Sequence, residues 1–184
     1  MRHRIPVIVV TILALIGLAA PAASAASRPH PLIAGAVPSD IVPISCASFL
    51  GVTYHIMSND DSSVGIDYQG TGKLTKVTTS PGDSNLTCVN SSSDYTDIHN
   101  NAGNCIRMRD ASNNYTMIEE TGCISGDANY QFQAYLNTSN GLVLFQNIHF
   151  GKWLGVNCPV RNGKRVRGVH NAPGNCDSWI LNST

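Results

Sequence analysis

The sequence repeats one arrangement of short apolar and polar segments, and this repeat constrains the fold more than any other feature. Residues 95–136 and 142–181 run in the same order. In each, an apolar stretch leads to a turn glycine, Gly103 or Gly151, then to two strand-like stretches around a polar turn, and then to a final stretch with an aromatic residue. Residues 53–89 follow this order more loosely. A repeat of about 40 residues predicts three similar units that share one core.

The segments within each unit are strand-like, and none shows helical periodicity beyond two turns. Predicted strands include residues 53–57, 74–78, 105–108, 115–118, 131–136, 142–145, 165–169 and 179–181. Runs of Asn, Asp, Gly and Ser separate them, which is typical of an all-β sandwich or barrel. The repeats are predicted at about 50–90, 94–137 and 141–182, within one domain of residues 46–184. We expect one core that contains Ile106, Phe132, Leu144, Leu154 and Trp179.

The first 25 residues predict a secreted chain. Two arginines precede an apolar run over residues 5–20, and an A-x-A motif ends at Ala25. These are the three parts of a cleavable signal peptide. An uncleaved anchor is the alternative, although the run is marginal for a span of about 20 residues. Residues 26–45 contain four prolines and predict a Pro-rich leader without a core. We therefore expect an extracellular protein that has no membrane contact after cleavage.

The charge balance excludes a generally basic protein. The chain has 12 Lys and Arg residues and 12 Asp and Glu residues, and charged residues make up 13% of it. That share is well below the usual quarter or so. Without a basic field, nucleic acid is not an expected partner. A surface rich in Ser, Thr, Asn and Gly suits an extracellular binding module, and we expect a monomer that binds a glycan or a protein.

Six cysteines lie within residues 46–184: Cys46, Cys88, Cys105, Cys123, Cys158 and Cys176. An even number in a secreted chain predicts three disulfides, for which fifteen pairings are possible. Zinc binding is the alternative. No C-x-x-C motif occurs, and no histidine stands at ligand spacing from a cysteine pair. The sequence therefore predicts no metal site and no cofactor.

The middle unit resembles the ricin-type lectin family. Residues 105–110 read CIRMRD, Cys123 follows, and residues 129–132 read NYQF. They resemble that family's C-h-D-h motif (h apolar), its second cysteine and its Q-x-W ending. The third unit adds GKWL at 151–154 and DSW at 177–179. The resemblance covers about residues 46–181. It implies an all-β chain, a disulfide-stapled β-trefoil of three four-stranded repeats, with non-catalytic carbohydrate binding.

The resemblance also implies one disulfide, Cys105–Cys123, inside the middle unit. Cys158 and Cys176 are separated by the same 18 residues, in a different register, and form the second expected pair. Cys46–Cys88 is the pair that remains.

The family's sugar pocket combines an Asp on the second strand, an aromatic residue on the third strand or its loop, and an Asn just before Q-x-W. The carboxylate accepts sugar hydroxyls, and the ring stacks on the apolar face of the sugar. We assign the acceptor position to Gly65 in the first unit, Arg107 in the middle unit and Gly155 in the third. Because all three lack a carboxylate, we expect no binding of galactose or lactose.

The middle unit keeps the most of this pocket. Asn129 and Gln131 match the family pattern. The candidate carbohydrate site is therefore Arg107, Asp110, Asn129 and Gln131, where Arg107 and Asp110 would hold an anionic or amide-bearing sugar. The alternative is that the pocket is vestigial and that Arg107 pairs at the surface with Asp110 or Glu119.

Other functions have weaker support. A glycosidase would need two carboxylates about 5–9 Å apart. The acidic residues near the middle unit are Asp94, Asp97, Glu119 and Glu120, and no motif supports catalysis, so no catalytic residue is expected. A secreted protease inhibitor or effector on the same scaffold is the alternative function, with residues 161–164 as the inserted loop. The third unit also carries a strip of basic residues: Lys152, Arg161, Lys164, Arg165 and Arg167. This strip would bind sulfated or phosphorylated glycans, or an acidic protein. The alternative is that it forms only a solvated hairpin.

Overall fold

The structure, a computed structural model, describes residues 40–90, 94–110, 116–170 and 175–184. The predicted signal peptide and residues 26–39 of the predicted leader lie outside these ranges. Within them the chain forms thirteen strands: β1 Ile41–Ile44, β2 Thr53–Ser58, β3 Gly65–Asp67, β4 Lys76–Thr78, β5 Ser84–Cys88, β6 Thr96–His99, β7 Asn104–Asp110, β8 Thr116–Gly122, β9 Phe132–Asn137, β10 Leu142–Asn147, β11 Trp153–Val156, β12 Val166–Val169 and β13 Trp179–Ser183. Short 3-10 turns lie at Cys46–Phe49, Ala128–Tyr130 and Asn175–Asp177. No helix in the described ranges is long and apolar enough to cross a membrane.

Six strands form a closed antiparallel ring in the order β2, β5, β6, β9, β10 and β13. Pairing between β13 and β2, from Trp179 opposite Ser58 to Ser183 opposite Tyr54, closes the ring. These are the first and last strands of the three predicted units. Closure leaves the ring without an unpaired edge, which a strand of another chain would otherwise recognise.

The other two strands of each unit form a hairpin, and the three hairpins meet at one end of the ring. The hairpins are β3–β4, β7–β8 and β11–β12. Strand β12 pairs with β8, and bridges from Leu74 to Glu119 and from Lys76 to Arg165 connect the first hairpin to both others. The predicted plan of three units with four strands each is confirmed.

Apolar side chains from all three units fill the ring and the space below the hairpins. Four of the five predicted core residues lie together in this main cluster: Ile106, Phe132, Leu154 and Trp179. The prediction is wrong for Leu144, which is fully buried in a smaller cluster with Ile41, Tyr135 and Trp153. Its neighbours Val143 and Phe145 belong to the main cluster. Because side chains alternate along a strand, Leu144 must point out of the ring.

The folded domain begins earlier than its cysteine pattern indicates. The predicted leader extends to residue 45, but β1 lies inside it and pairs with β9, from Ile41 opposite Asn137 to Ile44 opposite Ala134. Ile41 is buried. The pairing is available because β9 contacts β6 at only one position, Phe132 opposite Thr96. The rest of that edge of β9 is open to β1.

The first unit has no aromatic residue at the start of its final strand, and an aromatic residue of its hairpin packs there instead. Strand register makes Ser84 equivalent to Phe132 and Trp179. Tyr68 packs against the main cluster, and its hydroxyl lies 2.8 Å from Ser84 Oγ. A phenol ring from the hairpin thus occupies the space that a small serine leaves, and its polar end has a hydrogen-bond partner.

All three expected disulfides are present: Cys46–Cys88, Cys105–Cys123 and Cys158–Cys176. The first joins the turn before β2 to the end of β5, and so closes the whole first unit. The second links the start of β7 to the residue after β8. The third connects the loop after β11 to the turn before β13.

Candidate functional site

The strand register identifies equivalent positions in the three hairpins. In each unit one residue of the hairpin pairs with the first strand: Gly65, Cys105 and Trp153. The acceptor position of the resembled family lies two residues later, so its occupants are Asp67, Arg107 and Gly155. The assignment of this position to Gly65 is therefore wrong. The first unit has a carboxylate there, so the reason for expecting no binding of galactose or lactose does not hold for that unit.

The two glycines of the earlier assignment are packing residues. A β-carbon at Gly65 would lie 2.7 Å from Met57 Sδ and 2.8 Å from the Ile56 carbonyl oxygen. At Gly155 it would lie 3.0 Å from the Cys176 carbonyl oxygen and from Val169 Cγ2, which is tighter than nine in ten real β-carbon contacts. Neighbouring backbone and side chains crowd both positions. The third unit consequently has little room for an acceptor side chain.

Asp67 is half-buried at the end of β3, opposite Lys76 on β4. Gln69 Nε2 donates a hydrogen bond of 2.7 Å to Asp67 Oδ2. No donor in the described part of the chain reaches Oδ1. A carboxylate has about four acceptor sites. The bond from Gln69 therefore orients the group while most of its accepting capacity stays available.

The loop before β5 forms the wall beside this carboxylate. Gly82 N donates to the Ile66 carbonyl over 3.0 Å, which holds the loop along β3. A β-carbon at Gly82 would be 3.6 Å from Asp67 Oδ1 and 2.9 Å from the ring of Tyr68. The close approach to Tyr68 favours glycine here, and 3.6 Å is an ordinary contact distance, so the loop lies directly beside Oδ1. The register places Pro81 where the middle unit has Asn129, so this pocket lacks the amide.

In the middle unit the acceptor position is occupied by Arg107, which forms an ion pair with Glu119. Arg107 donates to Glu119 Oε2 from Nη2 at 3.0 Å and from Nε at 3.3 Å, and Arg109 Nε donates to the same oxygen at 2.8 Å. The hydrogen bonds to Glu119 raise the pKa of Arg107, and the nearby Tyr130 hydroxyl acts in the same direction. The alternative in which Arg107 pairs with Glu119 fits this geometry.

The structure does not bring Asp110 to Arg107. Ile106 and Met108 face the core, so the residues on either side of Met108 face away from it. Arg107 shares one face of β7 with Arg109, whereas Asp110 belongs to the opposite face and is exposed at the end of the strand. A separation of three residues along a strand cannot place two side chains in one pocket.

Asn129 and Gln131 lie in the turn that packs against β7. Asn147 fixes that turn by hydrogen bonds, although the sequence gave no reason to select this residue. Asn147 is fully buried, and its Nδ2 donates to the carbonyls of Asn129 at 2.9 Å and Gln131 at 3.1 Å. Asn129 N also donates to Asp127 Oδ1 at 2.9 Å. Asn129 Oδ1 is buried without a hydrogen-bond partner in the described ranges. The middle pocket thus has an ordered backbone and one unused acceptor.

Glu119 and Glu120 of the middle unit do not form a facing pair. Glu119 and Glu120 are consecutive on β8 and point to opposite faces. Glu120 is fully buried, where it accepts hydrogen bonds from Gly70 N at 2.5 Å and from Asn100 Nδ2 at 2.9 Å. It therefore ties the first hairpin to the second unit. Among the described residues, no group of three or more His, Cys, Asp or Glu side chains is placed to hold a metal ion.

The loop of the inhibitor hypothesis lies against the first unit. Gly163 N donates to the Val77 carbonyl at 2.7 Å, and Val77 N donates to the Lys164 carbonyl at 2.8 Å. Lys164 Nζ donates to the carbonyl of Pro159 at 2.6 Å. An inhibitory loop has to enter the cleft of an enzyme. This turn uses its backbone within the fold, and only Arg161 offers an exposed basic side chain.

The partly buried carboxyl group of Asp97 should make the stability of the fold depend on pH. Burial raises its pKa to about 6, while His99 acts in the opposite direction, and its Oδ1 has no hydrogen-bond partner in the described part of the chain. A carboxyl group in an unfolded chain titrates near 3.9. The folded state therefore holds this proton more tightly, so stability falls as pH rises from about 4 through 6.

We expect Asp97→Asn to raise the free energy of unfolding at pH 8 by about 1 kcal/mol, a figure reduced for the partial exposure of the side chain. At pH 4 the gain should vanish. Urea unfolding at both pH values measures it, with exposed Asp94→Asn as the matched control. An equal gain at the two pH values would contradict the titration of Asp97.

No protein-family model and no curated protein matches the sequence. Solved structures do match. The designed threefold-symmetric protein ThreeFoil has a TM-score of 0.61 at 16% identity, over 70% of this chain and 96% of its own. The chain is a β-trefoil. The BEL β-trefoil matches with a TM-score of 0.58 at 11% identity, over 78% of this chain and 97% of its own.

Similar β-trefoil domains occur in proteins of several kinds. A Polyporus squamosus lectin bound to a human-type influenza-binding epitope matches with a TM-score of 0.57 at 15% identity, over 72% of this chain and 49% of that one. A mosquitocidal holotoxin matches with a TM-score of 0.63 at 20% identity, over 76% of this chain and 17% of that one. A yeast protein O-mannosyltransferase complex is also similar. These likenesses establish the fold, and the function has to be argued from the site.

Proposed function

We propose that this β-trefoil is a secreted carbohydrate-binding module without catalytic activity. Three disulfides suit an oxidising, extracellular compartment. The similar structures include a glycan-bound lectin. Glu119 and Glu120, two of the acidic residues near the middle unit, point to opposite faces of β8 and do not form the facing pair that a glycosidase needs. The signal peptide at residues 1–25 remains a prediction from the sequence.

The observation that carries this proposal is the carboxylate of Asp67 at the acceptor position of the first unit. Gln69 donates a hydrogen bond to Oδ2, and no donor in the described part of the chain reaches Oδ1, which can therefore accept from a ligand. Two adjacent hydroxyls of a neutral sugar can donate to one such carboxylate. Hydrogen bonds to a charged acceptor contribute about 1.5–3 kcal/mol, which is enough to make this contact dominant in a shallow pocket.

The middle unit supplies a second candidate pocket. It keeps Asn129 and Gln131 but has Arg107 in place of the carboxylate, so the first and middle units each hold part of the family's set. Arg107 would favour a sugar with an anionic or amide group. Asp110 is not part of this pocket because it lies on the other face of β7.

A glycan array followed by titration calorimetry with the strongest hit tests the proposal. We expect Asp67→Asn to weaken binding by about tenfold or more, because the neutral amide keeps the shape but loses the charged acceptor. Asn129→Ala is the matched variant in the middle pocket and should leave the affinity of a neutral sugar unchanged.

The two variants separate the pockets. Binding that survives Asp67→Asn and disappears in Asn129→Ala would assign the sugar to the middle unit and contradict our choice of the first. An array without any hit, for protein shown to be folded and oxidised, would remove carbohydrate binding altogether.

A further inference from the structure

The three hairpins gather basic side chains on one outer face. Thr75, Ile118 and Val166 are equivalent residues of the third strands and are buried where the hairpins meet. The residues next to them along each strand therefore point outward. Five cations occupy these outward positions or the same face of β7, and we call them the basic face: Lys76, Arg107, Arg109, Arg165 and Arg167.

The pairings place these five residues close together. Lys76 lies directly opposite Arg165. Met117 lies between Arg109 on one side and Arg167 on the other. Directly opposed residues on neighbouring strands have their β-carbons about 5 Å apart. The basic face therefore extends across the ends of all three hairpins as one surface.

This concentration of charge contrasts with the balance of the whole chain, which has 12 Lys and Arg residues and 12 Asp and Glu residues. The described ranges contain nine Lys and Arg residues, and five of them form the basic face. Among the described residues, Glu119 lies within it, Asp67 borders it beside Lys76, and Asp177 lies next to Gly155, the residue opposite Arg167. The two charges of the directly opposed Lys76 and Arg165 repel each other. Folding alone gives no reason for that arrangement.

Glu119 organises part of this face. Its Oε2 accepts hydrogen bonds from Arg107 and Arg109, whose side chains are 33% and 45% exposed. Two guanidinium groups are thus held side by side by a single negative charge. Each retains free N–H groups, since a guanidinium carries five donors in a planar fork.

We propose that the basic face binds a sulfated polysaccharide. Guanidinium forks form paired hydrogen bonds with tetrahedral oxyanions, and a polymer with regularly repeated sulfates can engage several cations at once. The basic face borders the sugar pocket at Asp67, which lies opposite Lys76, but it is a different binding surface. It would bind through charge on a broad surface, whether or not that pocket holds a neutral sugar.

Other polyanions fit less well. Single-stranded nucleic acid binds by stacking bases on aromatic rings. The apolar residues next to the basic face are Leu74 and Met117, which point outward from the same strands and are both half-buried. None of the outward residues of these strands is aromatic. The exposed large apolar side chains of the described ranges are Val42, Leu50, Val52 and Ile124, which lie elsewhere, so nothing on this face would insert into a membrane. Disulfides favour an extracellular partner.

Heparin binding at increasing salt tests the proposal. The wild-type protein should bind heparin, and its affinity should fall steeply with salt as counterions are released. The triple variant K76Q/R109Q/R165Q should bind about 10- to 30-fold more weakly, with a shallower salt dependence. Arg165→Gln alone should cost about threefold, and Arg161→Gln, an exposed arginine of the same unit, should cost less than twofold. Thermal unfolding confirms that each variant is folded.

Several outcomes would overturn the inference. These are no heparin binding at low salt, equal binding of desulfated heparin, or an equal loss in Arg161→Gln and Arg165→Gln. Tighter binding of single-stranded RNA, or of vesicles rich in phosphatidylserine, would assign the face to another partner. Asp67→Asn should leave heparin affinity undiminished, which distinguishes failure here from failure of the neutral-sugar proposal.

Discussion

Trp179→Ala is expected to lower the free energy of unfolding by about 3–5 kcal/mol, the range found for removing a buried large aromatic side chain. Trp179 is 1% exposed and is one of the largest side chains in the main cluster. Its Nε1 donates a hydrogen bond of 2.9 Å to the Leu154 carbonyl, which joins the last strand to the third hairpin. Alanine would leave a cavity where the ring packs and a buried carbonyl without its donor. Chemical unfolding in urea measures the loss.

Trp179→Phe is the matched control because the middle unit has Phe132 at the equivalent position. Phenylalanine keeps most of the apolar volume and loses the indole N–H. We expect a cost of about 1–3 kcal/mol, mainly from the unsatisfied Leu154 carbonyl. If the Phe variant were as unstable as the Ala variant, the hydrogen bond rather than the packing would dominate, contrary to our expectation.

The repeat, the strands and the disulfides follow from the sequence because they rest on patterns with local causes. Runs of apolar residues bounded by turn residues predicted eight of the strands, spread over all three units. The order of these segments in three copies predicted a shared core, and the resemblance of the middle unit predicted the fold. Cys105–Cys123 came from that resemblance, and the two other pairs followed from spacing and from what remained.

The acceptor position of the first unit could not be placed with the same certainty. A shift of two residues along a strand keeps every side chain on the same face, so the alternation of apolar residues does not distinguish Gly65 from Asp67. The sequence did contain a usable signal. Residues 65–68 read GIDY, in which Asp67 stands between two apolar residues as the family's acceptor does.

Other features depend on contacts that are distant in sequence. Leu144 lies outside the main core because the outer surface of β10 is itself covered, by Ile41 from β1 and by two aromatic residues. Asn147 fixes the turn around Asn129 although the two are 18 residues apart. The basic face combines residues from three hairpins. Each of these features requires the three units to be assembled before it becomes visible.

The disulfides differ in how much of the chain they close, and this gives the second large prediction. Cys46 and Cys88 are 42 residues apart, whereas Cys105 and Cys123 are 18 apart. A bridge lowers the entropy of the unfolded chain more when it closes a longer loop. Loops of these sizes correspond to about 4 and about 3 kcal/mol, respectively.

We therefore expect C46S/C88S to lose about 4 kcal/mol and the matched variant C105S/C123S about 3 kcal/mol. The local surroundings do not favour either bridge, because each contains one buried cysteine: Cys46 is 3% exposed and Cys105 is 1% exposed. A serine at either position would bury a hydroxyl. Urea unfolding of both variants without reductant measures the two losses. A smaller loss in C46S/C88S than in C105S/C123S would mean that loop length does not control what these bridges contribute.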